Sequence, residues 1–180
     1  VGLYPTHGAG SFCTANLAGP STSTIGQERS GNPLLAIDDP EAFADTQLTD
    51  LEPYPTYYAQ MGPTNLMGPT PIEDRAIPEL DADGVREMLD EVTVVDGRPK
   101  DHFAAGHIPA AWGIEANQDF ATWVGWLLPY NSPLVLILDE DQDLEEARLA
   151  LARVGFEDIR GVMRGMTDWA NSGHPINSHG

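Results

Sequence analysis

The chain of 180 residues has one cysteine, Cys13, and one lysine, Lys100. A single thiol excludes an internal disulfide, so a reducing, cytoplasmic setting is the expectation. Positive charge is scarce: 9 Lys and Arg face 28 Asp and Glu, for a formal net charge of −19. Nucleic acid and anionic membrane both recruit cations, so neither is expected as a partner. No apolar run approaches the roughly 18–20 residues of a membrane-spanning helix. The best candidate is Phe120 to Leu128. The chain opens at Val1 with no basic, apolar leader. What remains is an acidic, well-solvated surface over enough apolar residues, 41%, for one core or one core and part of another.

Texture changes along the chain. Residues 1 to 72 are rich in Gly, Pro, Ser and Thr. They hold a short apolar run from Val1 to Tyr4, a helix starting near Ser23 or Thr24, and a second helix with Asp39 as N-cap and Pro40 in its first position. The proline-rich stretch Pro53 to Pro71 is expected to be extended and packed, then to serve as a linker. Strands and helices alternate from Ile77 onward. Asp81 should cap a helix through Leu89, and Val92 to Asp96 should be a strand. Phe120, Trp123, Val124, Leu127 and Leu128 follow helical spacing and suggest one buried face, leaving Trp126 and Tyr130 as candidates for a surface contact. Leu134 to Leu138 is the apolar run of a central parallel strand. A helix over Leu144, Ala147 and Leu151, a strand over Ile159 to Met163 and a helix over Met166 to Asn171 complete the pattern. Strands separated by helices predict an α/β fold with a central parallel sheet flanked by helices.

The most informative stretch is Val94-Val95-Asp96-Gly97-Arg98, followed by Phe103 and by Gly106-His107-Ile108-Pro109-Ala110-Ala111. It resembles the opening of a rhodanese (sulfurtransferase) domain, usually V-V-D-x-R…F…G-H-I-P-G-A. Further matches are Gly155-Phe156-Glu157-Asp158-Ile159-Arg160, Gly165, Trp169 and Gly173-His174-Pro175. In such domains a nucleophilic cysteine ends the strand occupied here by Leu134 to Leu138. Counting back from Gly155 places that cysteine at Leu138; anchoring on the strand end places it at Asp139. Neither side chain can carry a persulfide, so the resemblance implies a catalytically inactive rhodanese-like domain over residues 73–180, not an active sulfurtransferase. Asp96, Arg98, Gly106 and His107 then serve as structural motif residues. His102, His174 and His179 have no partners at metal-ligand spacing.

The loop chemistry agrees. An active loop aims backbone N–H groups and a helix N-terminus at an anion. Here it reads Asp139-Glu140-Asp141-Gln142-Asp143, with Glu145 and Glu146 close behind. Two like charges about 5 Å apart cost roughly 3 kcal/mol at an effective dielectric near 20. A helix N-terminus returns only about 0.3–1 kcal/mol. The same carboxylates suit helix capping and solubility; a divalent cation site would need a more regular ligand spacing.

Pro5-Thr6-His7-Gly8-Ala9-Gly10-Ser11, Ser23-Thr24-Ile25-Gly26-Gln27-Glu28 and Asn32-Pro33-Leu34 follow one another in the first segment. Their order resembles the C-terminal end of a metallo-β-lactamase αββα hydrolase of the glyoxalase II and persulfide dioxygenase branch. The two resemblances together imply the C-terminal part of a metallo-β-lactamase–rhodanese fusion. The intact parent would then be a metal-dependent enzyme, with zinc or iron, acting on thiol- or glutathione-linked substrates. His7 would lie at the metal site once upstream ligands are supplied, and Cys13 would be placed to meet a persulfide or thiol substrate. The chain alone would hold no cofactor and would not be an enzyme. Its expected partners are the missing N-terminal metallo-β-lactamase portion, a thiol or persulfide small molecule, and further copies of itself in a homo-oligomer. A stand-alone module that binds a protein or a sulfur carrier is the alternative reading.

Overall fold

A computed structural model describes residues 1–4, 22–49, 53–68, 71 and 75–179. His7 and Cys13 lie outside the described residues. Two compact units divide between Pro53 and Tyr54.

In the first unit, β1 (Gly2–Leu3) pairs antiparallel with β2 (Ser23–Thr24). The Thr24 side chain then caps α1 (Ile25–Gly31) by accepting from the Gln27 N–H. Asn32 starts a 3-10 turn (Pro33–Ala36) in the same way, accepting from the Leu34 N–H. Asp39 accepts from Glu41 N at the entry to α2 (Pro40–Thr49). No described residue of this unit is buried.

The second unit opens with α3 (Tyr58–Met67). This corrects the expectation of an extended linker over Pro53 to Pro71. Proline density misled: Ala59, Gln60, Met61, Leu66 and Met67 are good helix formers, and the helix forms although Pro63 lies inside it. Gly68, at φ +87°, ends the helix in the left-handed region that glycine enters freely. Thr56 N–H donates to the Gly125 carbonyl, and Thr56 Oγ1 to those of Gly125 and Leu128. A Cβ at Gly125 would come within 2.5 Å of the Tyr57 ring, so the glycine permits this docking. Burial raises the Tyr57 phenol above its ordinary range, and the neighbouring Tyr58 adds to the shift.

The rest follows the alternation read in the sequence: α4 (Ala82–Met88), β3 (Thr93–Asp96), α5 (Lys100–Ala105), β4 (Trp112–Gly113), α6 (Phe120–Leu127), β5 (Leu134–Leu138), α7 (Leu144–Arg153), β6 (Ile159–Arg164) and α8 (Thr167–Asn171). The strands form one parallel sheet in the order β4-β3-β5-β6. Glu79 adds a parallel bridge to Val162 at the β6 edge. Every residue of β5 is buried, as a central strand covered on both faces must be. Alternate side chains serve different layers. Val95, Leu134, Leu136 and Leu138 pack with Phe120, Val124 and Leu151 of α6 and α7. Val94, Val135 and Ile137 pack with Val85 of α4, Ile108 and Trp169 of α8. The expected α/β architecture with a helix-flanked parallel sheet is therefore present.

One face was misassigned. Phe120, Val124 and Leu128 are buried, whereas Trp123 and Leu127 are 54% and 46% exposed. In so short and uniformly apolar a helix the pattern does not single out one stripe. Tyr130 packs instead on Gly155 and Phe156, and Trp126 is half-buried.

Ala110 adopts φ 66°, a left-handed conformation, in the turn closed by Ala111 N–H donating to the Ile108 carbonyl. A Cβ there costs about 1–2 kcal/mol, more than the roughly 0.5–1 kcal/mol of extra chain entropy that glycine loses on folding. Ala110→Gly should therefore raise stability by about 0.5–1 kcal/mol, read as a higher urea midpoint at unchanged slope. A lower midpoint would refute the strain assigned to this turn.

Candidate functional site

Open parallel sheets present ligands at the carboxyl ends of their strands, at the point where strand order reverses. Here that point lies between β3 and β5, whose following loops are Gly97 to Pro99 and Asp139 to Asp143. Beneath it sits a buried ion pair. Arg98 Nε and Nη2 donate to the two Asp96 carboxylate oxygens at 2.9 and 2.7 Å, and Arg98 N–H donates to Oδ1 at 3.2 Å. Arg98 Nη2 also donates to the Gly106 carbonyl. Asp96 and Arg98 are 0% and 5% exposed, so the motif is a strut between β3 and the loop after α5.

His107 is buried one residue further on. Its Nδ1 lies 2.8 Å from the Phe103 carbonyl, which can only accept, so this nitrogen carries the proton. Its ring stacks on Phe103 with centroids 3.9 Å apart and lies 4.9 Å from the His179 ring. The His107 and Asn177 main chains exchange N–H···O bonds in both directions. The structure thus links Asp96, Arg98 and Gly106 by hydrogen bonds and places His107 next to them along the chain, bonded to Phe103 and Asn177 instead.

Leu138 and Asp139 stand at the end of β5. Leu138 is wholly buried among the apolar side chains of α6 and α7. It lies so close to Gly97 that a Cβ there would approach it to 2.7 Å. Asp139 sits at the rim, its Oδ2 2.6 Å from His102 Nδ1. His102 is half exposed, so this pair orients the side chains more than it stabilises the fold.

The loop itself is closed by its own groups. Gln142 Oε1 accepts from the Asp139 N–H at 2.8 Å, while Gln142 Nε2 donates to the Gly97 carbonyl at 2.8 Å. Gln142 N–H returns to the Asp139 carbonyl. Arg164 Nη1 donates to the Asp139 and Gln142 carbonyls from the end of β6. Asp143 caps α7, accepting from Glu145 N–H and Glu146 N–H. The Arg148 guanidinium beside Glu145 holds that carboxyl below its usual range. Donors at Asp139, Gln142, Glu145 and Glu146 are therefore turned inward rather than toward an incoming anion.

Sequence reading missed His102, Gln142 and Arg164 as parts of this arrangement. Spacing offered little to find them: they come from three elements brought together by the sheet, and glutamine carries no charge signature. His174 is a further pair outside the site, with Nε2 3.0 Å from Asp83 Oδ1. Among the described residues no three His, Cys, Asp or Glu side chains are grouped to hold a metal ion. A metal centre needs about three protein ligands, so the described residues do not by themselves hold one.

A four-stranded parallel sheet with flanking helices, carrying a buried Asp–Arg strut below the β5 loop, defines the class as an α/β domain with its site at the strand ends. The rhodanese-like domain model matches residues 81–172, and the chain belongs to that family. Among solved structures, the chain is similar to a metallo-beta-lactamase from Staphylococcus aureus subsp. aureus COL, with 26% identity over 92% of this chain and a TM-score of 0.54. It spans 46% of that protein's length. It also resembles the Alr3790 protein from Anabaena sp., at 21% identity, 56% of this chain, 92% of the other and a TM-score of 0.49. No curated protein matches the chain.

Proposed function

We propose that the rhodanese-like domain of this chain is catalytically silent and forms the C-terminal part of a metallo-β-lactamase–rhodanese fusion. The observation that carries the first half is the state of the β5 loop. Asp139 stands at the strand end, its carboxylate turned to His102 and its amide tied to Gln142. Neither Asp139 nor the buried Leu138 offers a thiol, and the carboxylates of the loop disfavour an anionic sulfur donor.

The second half is supported by the likeness to the staphylococcal metallo-beta-lactamase across 92% of this chain. In this reading the intact parent is a metal-dependent hydrolase or persulfide dioxygenase acting on thiol- or glutathione-linked substrates. Zinc or iron would be held by upstream ligands, with His7 at the metal site and Cys13 beside the substrate. The rhodanese-like domain serves packing, or presents a sulfur-carrying partner.

Thiosulfate:cyanide sulfurtransferase assays test the silent domain. The chain, Leu138→Cys and Asp139→Cys should all stay at the buffer rate, because a thiol alone leaves Gln142 and the acidic loop in place. Turnover that disappears with Cys13→Ser, or that either new thiol restores, would falsify this assignment. For the parent, the measurement is metal content together with thioester hydrolysis and persulfide-dependent oxygen uptake by the intact polypeptide. A metal-free parent inert in both assays would remove the fusion-enzyme reading.

A further inference from the structure

We propose that a cavity between residues 75–77 and the C-terminal half of α7 binds a small zwitterion with an apolar body, a free aliphatic amino acid. Main-chain bonds create the hollow. Leu80 N–H donates to the Val162 carbonyl and Val162 N–H to that of Pro78, which lays the segment before α4 along the edge of β6. Between that segment and α7 is a cavity of about 360 Å³, inside the roughly 300–1,000 Å³ usual for small-molecule sites. Its floor is apolar: Phe156 and Ile159 are buried, and Ile77 and Ala152 are half-buried beside them. It opens at the start of β6, away from the loops that follow β3 and β5.

Charged groups line the rim, and most are already matched. Arg148 Nε and Nη2 donate to the Glu145 carboxylate, and Arg160 Nε and Nη2 donate to the two Asp158 oxygens. The Arg160 hydrogen bonds hold the Asp158 carboxyl below its usual range, and Arg75 adds a weaker electrostatic pull. Arg75 and Glu157 are left over. Both line the cavity and are exposed, and neither forms an ion pair with another described residue. Asn131, at φ 52°, accepts from the Glu157 N–H at 3.1 Å through Oδ1 and so fixes the turn that carries this carboxylate.

One cation and one carboxylate over an apolar floor select the ligand. A guanidinium presents parallel donors to a carboxylate, a carboxylate accepts from an ammonium, and the floor takes an aliphatic side chain out of water. A bare anion would meet Glu157 and a chain of net charge −19, and both repel it. A bare cation would set its charge beside Arg75 and leave that guanidinium unanswered. A zwitterion brings no net charge and answers both groups. Exposed charges couple weakly in water, so the affinity expected is modest, a Kd of about 1 mM.

Titration calorimetry and amide NMR shifts of the 180-residue chain with L-leucine test the proposal. Leucine should saturate a single site at a Kd of about 1 mM or tighter. Its shifts should centre on Asn131, Phe156 and Ile159 and spare Gly97 and Gly106. Isocaproate lacks the ammonium and isoamylamine lacks the carboxylate. Each should bind about three- to fivefold more weakly than leucine, the scale of one exposed ion pair. Arg75→Gln should weaken leucine by the same factor without weakening isoamylamine. Glu157→Gln should abolish the preference for leucine over isocaproate. Both positions are exposed, so the fold tolerates these exchanges. No saturation by leucine, equal affinity for leucine and either single-charge analogue, leucine binding indifferent to both variants, or shifts centred on the loops after β3 and β5 overturns the proposal. No sulfur or metal chemistry enters the assay, so its outcome is separate from that of the function proposed above.

Discussion

Asp96→Ala should lower the stability of the second unit by about 3–5 kcal/mol, the largest effect expected of any single exchange in the motif. The reason is desolvation. Asp96 and Arg98 are both out of water, and the guanidinium spends two donors on the carboxylate. Alanine leaves the positive charge buried with the Gly106 carbonyl as its remaining bonded oxygen in this arrangement. Arg98→Met should cost a similar amount for the mirror-image reason. Replacing both residues with apolar side chains of matched volume should recover much of the loss, because removing a buried pair together avoids the stranded charge. Urea unfolding followed by tryptophan fluorescence measures all three variants, since Trp112, Trp123, Trp126 and Trp169 lie in this unit. Single-variant losses below about 1 kcal/mol, the scale of an exposed pair, would show that the strut is not a stabilising element.

The second large effect is expected at Trp169. Its side chain is 1% exposed in the layer formed by Val85, Ile108, Ile137 and Met163. Its Nε1–H donates to the Pro175 carbonyl, and the His174 ring lies 4.7 Å away. Trp169→Ala removes the largest side chain of that layer and should cost about 3–5 kcal/mol. It also removes an anchor of the tail, so the N–H groups of Asn177 and His179, which donate to the His107 and Ala104 carbonyls, should exchange faster. Trp169→Phe keeps much of the volume but loses the donor, and should fall between the two. Unchanged exchange in the tail of a folded Trp169→Ala protein would show that Trp169 does not hold it.

Much of the second unit was legible in the sequence, for definite reasons. Leu134 to Leu138 is too short and too uniformly apolar for a surface helix, and it forms the central strand β5. Asp81 and Asp143 precede apolar periodic runs, and each caps its helix through side-chain oxygens. Val92 to Asp96 reads as a strand, and β3 forms there, but that Asp96 pairs with Arg98 is visible only in the structure. Less legible were features whose determinants are not local. The two-residue strand β4 is defined by its neighbour β3 rather than by its own propensity. α3 forms despite Gly62 and Pro63 in its middle, against their local propensity. The exposure of Trp123 depends on where α6 meets the sheet, and apolarity alone does not encode that. At the candidate site, the acidic loop was visible in the sequence; its closure by Gln142 and Arg164 required the juxtaposition of β3, β5 and β6.

The Gln142 amide bridges Asp139 and Gly97, and thereby ties the loop after β5 to the loop after β3. A pocket that waits for a guest must be ordered by it, and some of the binding free energy is lost in doing so. Here part of that ordering is already made when the chain folds, so less of it is left for a binding partner to supply.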